Sequence, residues 1–154
     1  MRQLILFRHA KTEPFSESGS DETRRLTERG HHDAASMAKA LKRFDLTPTA
    51  VVISTARRTR ETWAEIKTDF PSVAASFSES LYLADPDEII SVVKVQPDTD
   101  TLLVIGHNPG IHDLALQMAE LGGSTNQEAL SNLRVKFSTA SAAVFVSREP
   151  APFS

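Results

Sequence analysis

Two stretches, Leu4-Ile5-Leu6-Phe7-Arg8-His9 and Leu102-Leu103-Val104-Ile105-Gly106-His107, decide the fold. Each is a short unbroken apolar run that stops at a histidine. Runs of this length have the dimensions of strands, and strands without apolar–polar alternation are buried on both faces. Residues 3–8 and 102–105 therefore predict two strands of one covered sheet, with an imidazole just past the end of each.

Working outward, Thr49-Ala50-Val51-Val52-Ile53-Ser54 is a third run of the same kind, rich in β-branched residues. Between the strands the spacing becomes helical. Ala34, Met37, Ala38, Leu41 and Phe44 recur every three or four residues, behind Thr27 as N-cap. Residues 56–70 form a second helix, with Thr55 as its N-cap and Thr59, Thr62, Trp63 and Ile66 on one face. Asp85-Pro86-Asp87-Glu88 opens a third through a capping box with proline at the first helical position. Asn108-Pro109 opens a fourth, which stops at Gly122-Gly123. Lys11 to Glu22 is loop, Val73 to Phe77 a short strand, 124–132 a surface loop, and Val135–Phe137 and Ala142–Val146 are the last strands. Alternating strands and helices give an α/β three-layer sandwich with a mainly parallel central sheet. Ligands of such sheets bind beyond the C-terminal strand ends, where Arg8-His9, Ser54 to Arg58 and Gly106-His107 all fall.

The 154 residues suffice for one domain, 1–154, with 40% hydrophobic and 24% charged content in the globular range. A net charge of -3 excludes a broad basic footprint, so no nucleic-acid partner is expected. The chain has no cysteine, which removes disulfides, thiolate metal ligands and cysteine nucleophiles. Its N-terminal apolar run is too short for a signal peptide or a membrane span, and a cytoplasmic protein without membrane contact is expected.

Two imidazoles at strand ends, with arginines close by, suit a phosphoryl group that is bound and accepted covalently. Arg8 and Arg58 offer planar bidentate donors for phosphate, and Arg58 stands in the first turn of its helix near free backbone N–H groups. His9 is the expected nucleophile, its second nitrogen held as a donor by a backbone carbonyl. His107 is the expected donor to an equatorial oxygen as charge spreads in the transition state. No histidine pair has H-x-x-x-H spacing with a carboxylate nearby, so metal is not expected. Simpler roles exist for each residue: His107 as a capping histidine, and Arg57, Arg58 and Arg60 as a solvated helix face. Asp85 is an N-cap, and His31, His32 and His112 are surface or structural.

Four segments together resemble the histidine phosphatase superfamily, which includes the phosphoglycerate mutase-like phosphatases. Arg8-His9-Ala10-Lys11 resembles its R-H-G opening with alanine in place of glycine. Arg25-Leu26-Thr27-Glu28-Arg29-Gly30 resembles its L-T-x-x-G helix start. Ser54 to Thr62 resembles S-x-x-x-R-x-x-x-T, which selects Arg58, and Gly106-His107-Asn108-Pro109 resembles the late G/S-H motif. The resemblance implies a phosphoglycerate mutase-like fold and a phosphohistidine intermediate on His9. It also implies a pocket of Arg8, Arg58 and His107, and no cofactor or metal. Short length and the absence of a large cap insertion resemble the SixA-type branch, which acts on phosphohistidine in histidine phosphotransfer domains and can carry an arginine, here Arg24, at the pocket rim. Two departures stand out. Phe15 replaces the asparagine found six residues past the nucleophile in larger members, and Glu79 is the nearest match to their acid.

The expected partner is a phosphorylated protein, such as a histidine phosphotransfer domain, or a small phosphate ester. An imidazole leaving group, with a pKa of about 6.5, departs more readily than an alkoxide, so weak acid machinery leans towards phosphohistidine or an acidic ester. A small-molecule phosphomonoesterase and a non-catalytic phosphate-binding module are the alternatives.

Overall fold

The computed structural model describes residues 1–122 and 126–148. Five strands, β1 (Gln3–Arg8), β2 (Ala50–Ser54), β3 (Ala74–Ser78), β4 (Thr101–Gly106) and β5 (Ala142–Val146), form one sheet in the order β3-β2-β4-β1-β5. The first four run parallel and β5 lies antiparallel on β1. Five helices surround it: α1 (Glu28–Arg43), α2 (Arg57–Lys67), α3 (Pro86–Lys94), α4 (Gly110–Leu121) and α5 (Gln127–Val135).

The uninterrupted apolar runs are explained by two cores, one on each face. Successive residues of a strand point to opposite sides. Ile5 and Phe7, with Val51, Ile53, Leu103 and Ile105, meet Ala34, Ala38 and Leu41 of α1 and Trp63 and Ile66 of α2. Leu4 and Leu6, with Val52, Leu102 and Val104, meet Ile89, Val92 and Val93 of α3 and Ile111 and Leu114 of α4. This is the three-layer, mainly parallel α/β arrangement expected. No helix among the described residues is long and apolar enough to cross a membrane.

Local signals set several boundaries. Thr27 accepts from the Gly30 N–H at 2.9 Å, and Asp85 and Glu88 exchange both bonds of a capping box at 2.9 Å each. Three expectations fail. Ala56, not Thr55, occupies the N-cap of α2, without a side-chain hydrogen bond, and Arg58 still falls in the first turn. Asn108 does not cap α4, which begins at Gly110, because its amide is drawn to the Phe137 carbonyl. Residues 127–135 form α5, capped by Asn126, where a loop and the start of a strand were expected. Leu133 of that helix packs, partly buried, on the α4 side of the sheet, and Leu130 is its one buried residue, so its apolar stripe is short. Gly123 and residues 124–125 lie outside the described residues.

Candidate active site

Parallel pairing of β1 with β4 puts Arg8 opposite Gly106, so the two histidines leave the sheet as neighbours. Their ring centroids are 5.4 Å apart, and the His9 N–H donates to the Gly106 carbonyl at 3.1 Å. β2 flanks β4 on its other side and delivers Ser54 and the start of α2 to the same edge.

His9 is almost fully buried. Its Nδ1 lies 2.8 Å from the Ala10 carbonyl oxygen. A carbonyl can only accept, so Nδ1 carries the proton and Nε2 keeps its lone pair. Ala10 is itself fixed, because its N–H donates to Thr62 Oγ1 at 3.0 Å. Burial, followed by the positive charges of Arg58, Arg8 and Arg24, pushes the His9 pKa down to about 4, although the Ala10 hydrogen bond pulls the other way. The imidazole is therefore neutral across ordinary pH.

His107 is buried too, with Nε2 at 2.7 Å from Ser54 Oγ and the Tyr82 ring edge-on at 5.5 Å. Burial, then the charge of Arg58, takes its pKa down to about 3.

The guanidinium groups are held from behind. Arg8 Nη1 and Asn108 Nδ2 both donate to the Phe137 carbonyl, each at 3.0 Å. Arg58, only 3% exposed, donates from Nη1 to the Asp21 carbonyl at 2.8 Å and from Nη2 to the Asp21 carboxylate at 2.9 Å. Arg24 reaches the same carboxylate at 3.0 Å and donates to Glu13 O and Thr12 Oγ1. Tyr82 adds its hydroxyl to Asp21 Oδ2. Hydrogen bonds from Tyr82, Arg24 and Arg58 hold the Asp21 carboxyl well below the usual carboxylate range, so it is a fixed anion. Burial, then the Asp21 charge, raises the Tyr82 phenol.

Among the described residues, four buried side-chain atoms have no partner: Arg8 Nε, Arg58 Nε, His107 Nδ1 and Asn108 Oδ1. Two of them are obligate donors and a third becomes one in the right tautomer. Unpartnered donors at the wall of a cationic cavity are what an oxyanion site looks like before its anion arrives.

Arg8, His9, Arg24, Arg58 and His107 all line one cavity of about 400 Å³. Glu79 does not; it sits exposed in a single 3-10 turn, Glu79–Leu81, and is not among the residues lining the cavity. Arg57 and Arg60 turn outward, Arg57 to Glu61 at 3.0 Å and Arg60 over the Phe77 ring at 4.3 Å. His31 contacts Glu65, and His112 Nε2 donates to the Leu133 carbonyl, both away from the cavity. Among the described residues no group of three His, Cys, Asp or Glu side chains is placed to hold a metal ion.

Two participants escape sequence reasoning, and a third, Ser54, is placed by it at the sheet edge without its contact to His107. Asp21 lies in a segment that reads as polar loop, and its single turn, Asp21–Thr23, is too short to leave a periodic signal. Tyr82 follows the Glu79 turn with no motif around it. Ser54 ends a strand, and only the register of β2 against β4 brings it under His107.

Residues 4–81 match the family model described as histidine phosphatase superfamily (branch 1). An uncharacterised protein of Mycobacterium leprae is 33% identical over 141 residues, covering 89% of this chain and 84% of its own. A crystal structure from Agrobacterium tumefaciens, assigned as the phosphohistidine phosphatase SixA, is 25% identical with a TM-score of 0.80, covering 96% of this chain and 92% of that one. The protein histidine phosphatase SixA complexed with tungstate is 25% identical with a TM-score of 0.73, covering 92% of this chain and 86% of that one.

Proposed function

The chain belongs to the histidine phosphatase superfamily and to its SixA-type branch, a phosphatase by family, and from that premise we propose that it hydrolyses phosphohistidine on a protein through a phosphoryl group carried by His9. His9 Nε2 attacks phosphorus in line. The P–N bond to the substrate imidazole, whose other ring nitrogen carries a proton, breaks as the P–N bond to His9 forms, and the ring departs as neutral imidazole with the bonding electron pair. Water then attacks the phosphoryl group on His9, releasing inorganic phosphate and restoring the neutral imidazole.

Each neighbour has a task in this scheme. Arg8 and Arg58 hold the phosphoryl oxygens and offset their charge. If Ser54 donates to His107 Nε2, the proton of His107 sits on Nδ1, where it is available to an equatorial oxygen. Arg24 and Asp21 keep Arg58 in place.

One observation carries the choice of substrate. Asp21 is the one carboxyl group among the described residues lining the cavity, and Tyr82, Arg24 and Arg58 hold it ionised. An alkoxide leaving group needs a proton delivered in the transition state; an imidazole, with a pKa of about 6.5, departs without one. A site with no protonated acid thus favours P–N cleavage. The name of the tungstate-bound neighbour, a protein histidine phosphatase, supports the same substrate class.

Rapid-quench labelling tests the reading. A phosphohistidine peptide should place an acid-labile, base-stable phosphoryl group on His9 much faster than an aryl phosphate does. Equal or faster labelling by the ester would move the assignment to a small-molecule phosphomonoesterase. Absence of label from both would make the site a phosphate-binding module.

A further inference from the structure

Among the described residues, three that are not glycine have positive φ: Asp45 at 56°, Leu83 at 49° and Ala140 at 56°. All three have local reasons. Asp45 follows the end of α1, where the left-handed region commonly closes a helix and Asp tolerates it. Ala140 is buried, and its N–H is shared between the Arg8 and His9 carbonyls at 3.1 and 3.0 Å, which ties the β5 approach to the catalytic strand end. Leu83 is the third residue of a tight turn, Leu81–Ala84, in which Tyr82 has φ -67° and ψ 114° and the Ala84 N–H donates to the Leu81 carbonyl at 3.4 Å. Such a type II turn requires positive φ at this position and ordinarily places glycine or asparagine there. Leu83 is a branched side chain in a backbone region that disfavours it, and 54% of it is exposed to water.

The neighbours of Leu83 are all anchored. Tyr82 is bonded to Asp21 and set edge-on against His107. Ala84 is buried, and its carbonyl lies so close to Gly110 that a Cβ there would stand 1.8 Å away. Asp85 caps α3. Strain of this kind persists only where the surroundings over-determine it, and such positions gather at functional sites. Leu83 lines the same cavity as Arg8, His9, Arg58 and His107, and it is the one large apolar side chain that does so among the described residues.

We propose that Leu83 is a specificity-determining residue, the apolar rest against which the ring of the leaving group lies while the arginines hold its phosphoryl group. This deepens the phosphohistidine reading and rests on it. A phosphoryl group alone has no use for an apolar surface; an imidazole does, because it is flat, largely apolar on its faces and directly bonded to phosphorus.

Two P–N donors separate the ring from the bond: a phosphohistidine peptide, and phosphoramidate, which has the bond but no ring. The readout is the ratio of their kcat/KM values in wild type, Leu83→Asn, Leu83→Gly and Leu83→Met. Asn and Gly both accept the left-handed backbone, so neither adds strain. The peptide-to-phosphoramidate ratio should fall about five- to tenfold in Leu83→Asn and Leu83→Gly, the scale of losing part of a leucine's apolar contact, and stay near wild type in Leu83→Met. A ratio unchanged in the Asn and Gly variants would overturn the assignment whatever the absolute rates, because a purely structural role changes both donors together. Should either variant fail to fold, the other one and Leu83→Met still decide the ratio. Wild-type protein that consumes neither donor would instead overturn the phosphatase reading itself.

Discussion

Arg58 and Asp21 are joined twice, through the backbone carbonyl of Asp21 at 2.8 Å and through its carboxylate at 2.9 Å. Both terminal nitrogens of the guanidinium are thereby taken from behind, and its Nε edge is left buried and unpartnered. A long side chain has many rotamers, so a phosphate ligand at its tip is useful only if the tip is fixed beforehand. Asp21 does the fixing, and it does so from a loop that also carries Arg24 to the same carboxylate.

Replacing Asp21 by Ala should therefore weaken the site. The expected loss is about tenfold in kcat/KM, towards the lower end of what a hydrogen bond to a charged group is worth because Asp21 is partly exposed. Inhibition by tungstate or inorganic phosphate should weaken by a similar factor, with Asp21→Asn between the two. Steady-state kinetics with an oxyanion titration checks this. Tighter oxyanion binding in Asp21→Ala would show instead that the carboxylate competes with substrate.

Ser54 is fully buried under His107, with its hydroxyl 2.7 Å from Nε2; when it donates there, the ring proton is held on Nδ1. Ser54→Ala should lower kcat about tenfold, the usual scale for losing the group that orients a functional histidine. His107→Ala, which removes the donor outright, should cost on the order of 10²–10³. Nitrogen chemical shifts of His107 report the tautomer directly: a wild-type proton on Nε2 rather than Nδ1 would sink this role for Ser54.

Why the sequence showed one half of this site and hid the other follows from where the residues sit. Arg8, His9 and His107 end apolar runs, and Arg58 opens a helix, so each stands beside a strong periodic signal and a strand-end rule places them together. Asp21 and Tyr82 lie in single turns, where no periodicity accumulates, and their roles depend on contacts 61 residues apart in the chain. Glu79 resembles an acid position, yet the short turn that holds it leaves the side chain in solvent while Tyr82, three residues on, contacts Asp21 and His107. α5 was missed because its one buried residue, Leu130, gives too narrow an apolar stripe to distinguish helix from loop.

Gly110 stands where α4 begins, with the Ala84 carbonyl against it. A Cβ at this position would lie 1.8 Å from Ala84 O and 2.9 Å from its carbonyl carbon. Both atoms are backbone, so nothing flexible can give way. Gly110→Ala should cost about 2 kcal/mol or more and lower the unfolding midpoint by several degrees. Because the displaced segment carries Tyr82 and Leu83, activity should fall further than stability alone explains. A thermal melt with parallel kinetics checks both, and an unchanged midpoint would contradict the close approach.

The depressed histidines set opposite demands on activity and stability. His9 is neutral in the folded protein until pH falls to about 4, so kcat/KM should hold steady from pH 8 towards 5 and drop only below that, where an ordinary imidazole would have lost its lone pair near 6.5. Stability behaves differently. Between about pH 4 and 6.5 the unfolded chain binds protons on these imidazoles that the folded chain refuses, so the free energy of unfolding rises with pH across that window. Stability from this source is complete above 6.5 and is lost as pH falls towards 4. Asp21, held below the usual carboxylate range, adds a loss in the same direction, but only once pH falls through the range where unfolded carboxyls protonate. Calorimetry from pH 8 to 4 should show the midpoint falling while activity at room temperature persists. His107→Asn removes one of the two buried imidazoles and should visibly flatten the slope between pH 4 and 6.5; an unchanged slope would mean that His107 titrates alike in the folded and unfolded chain, so that burial does not hold it neutral.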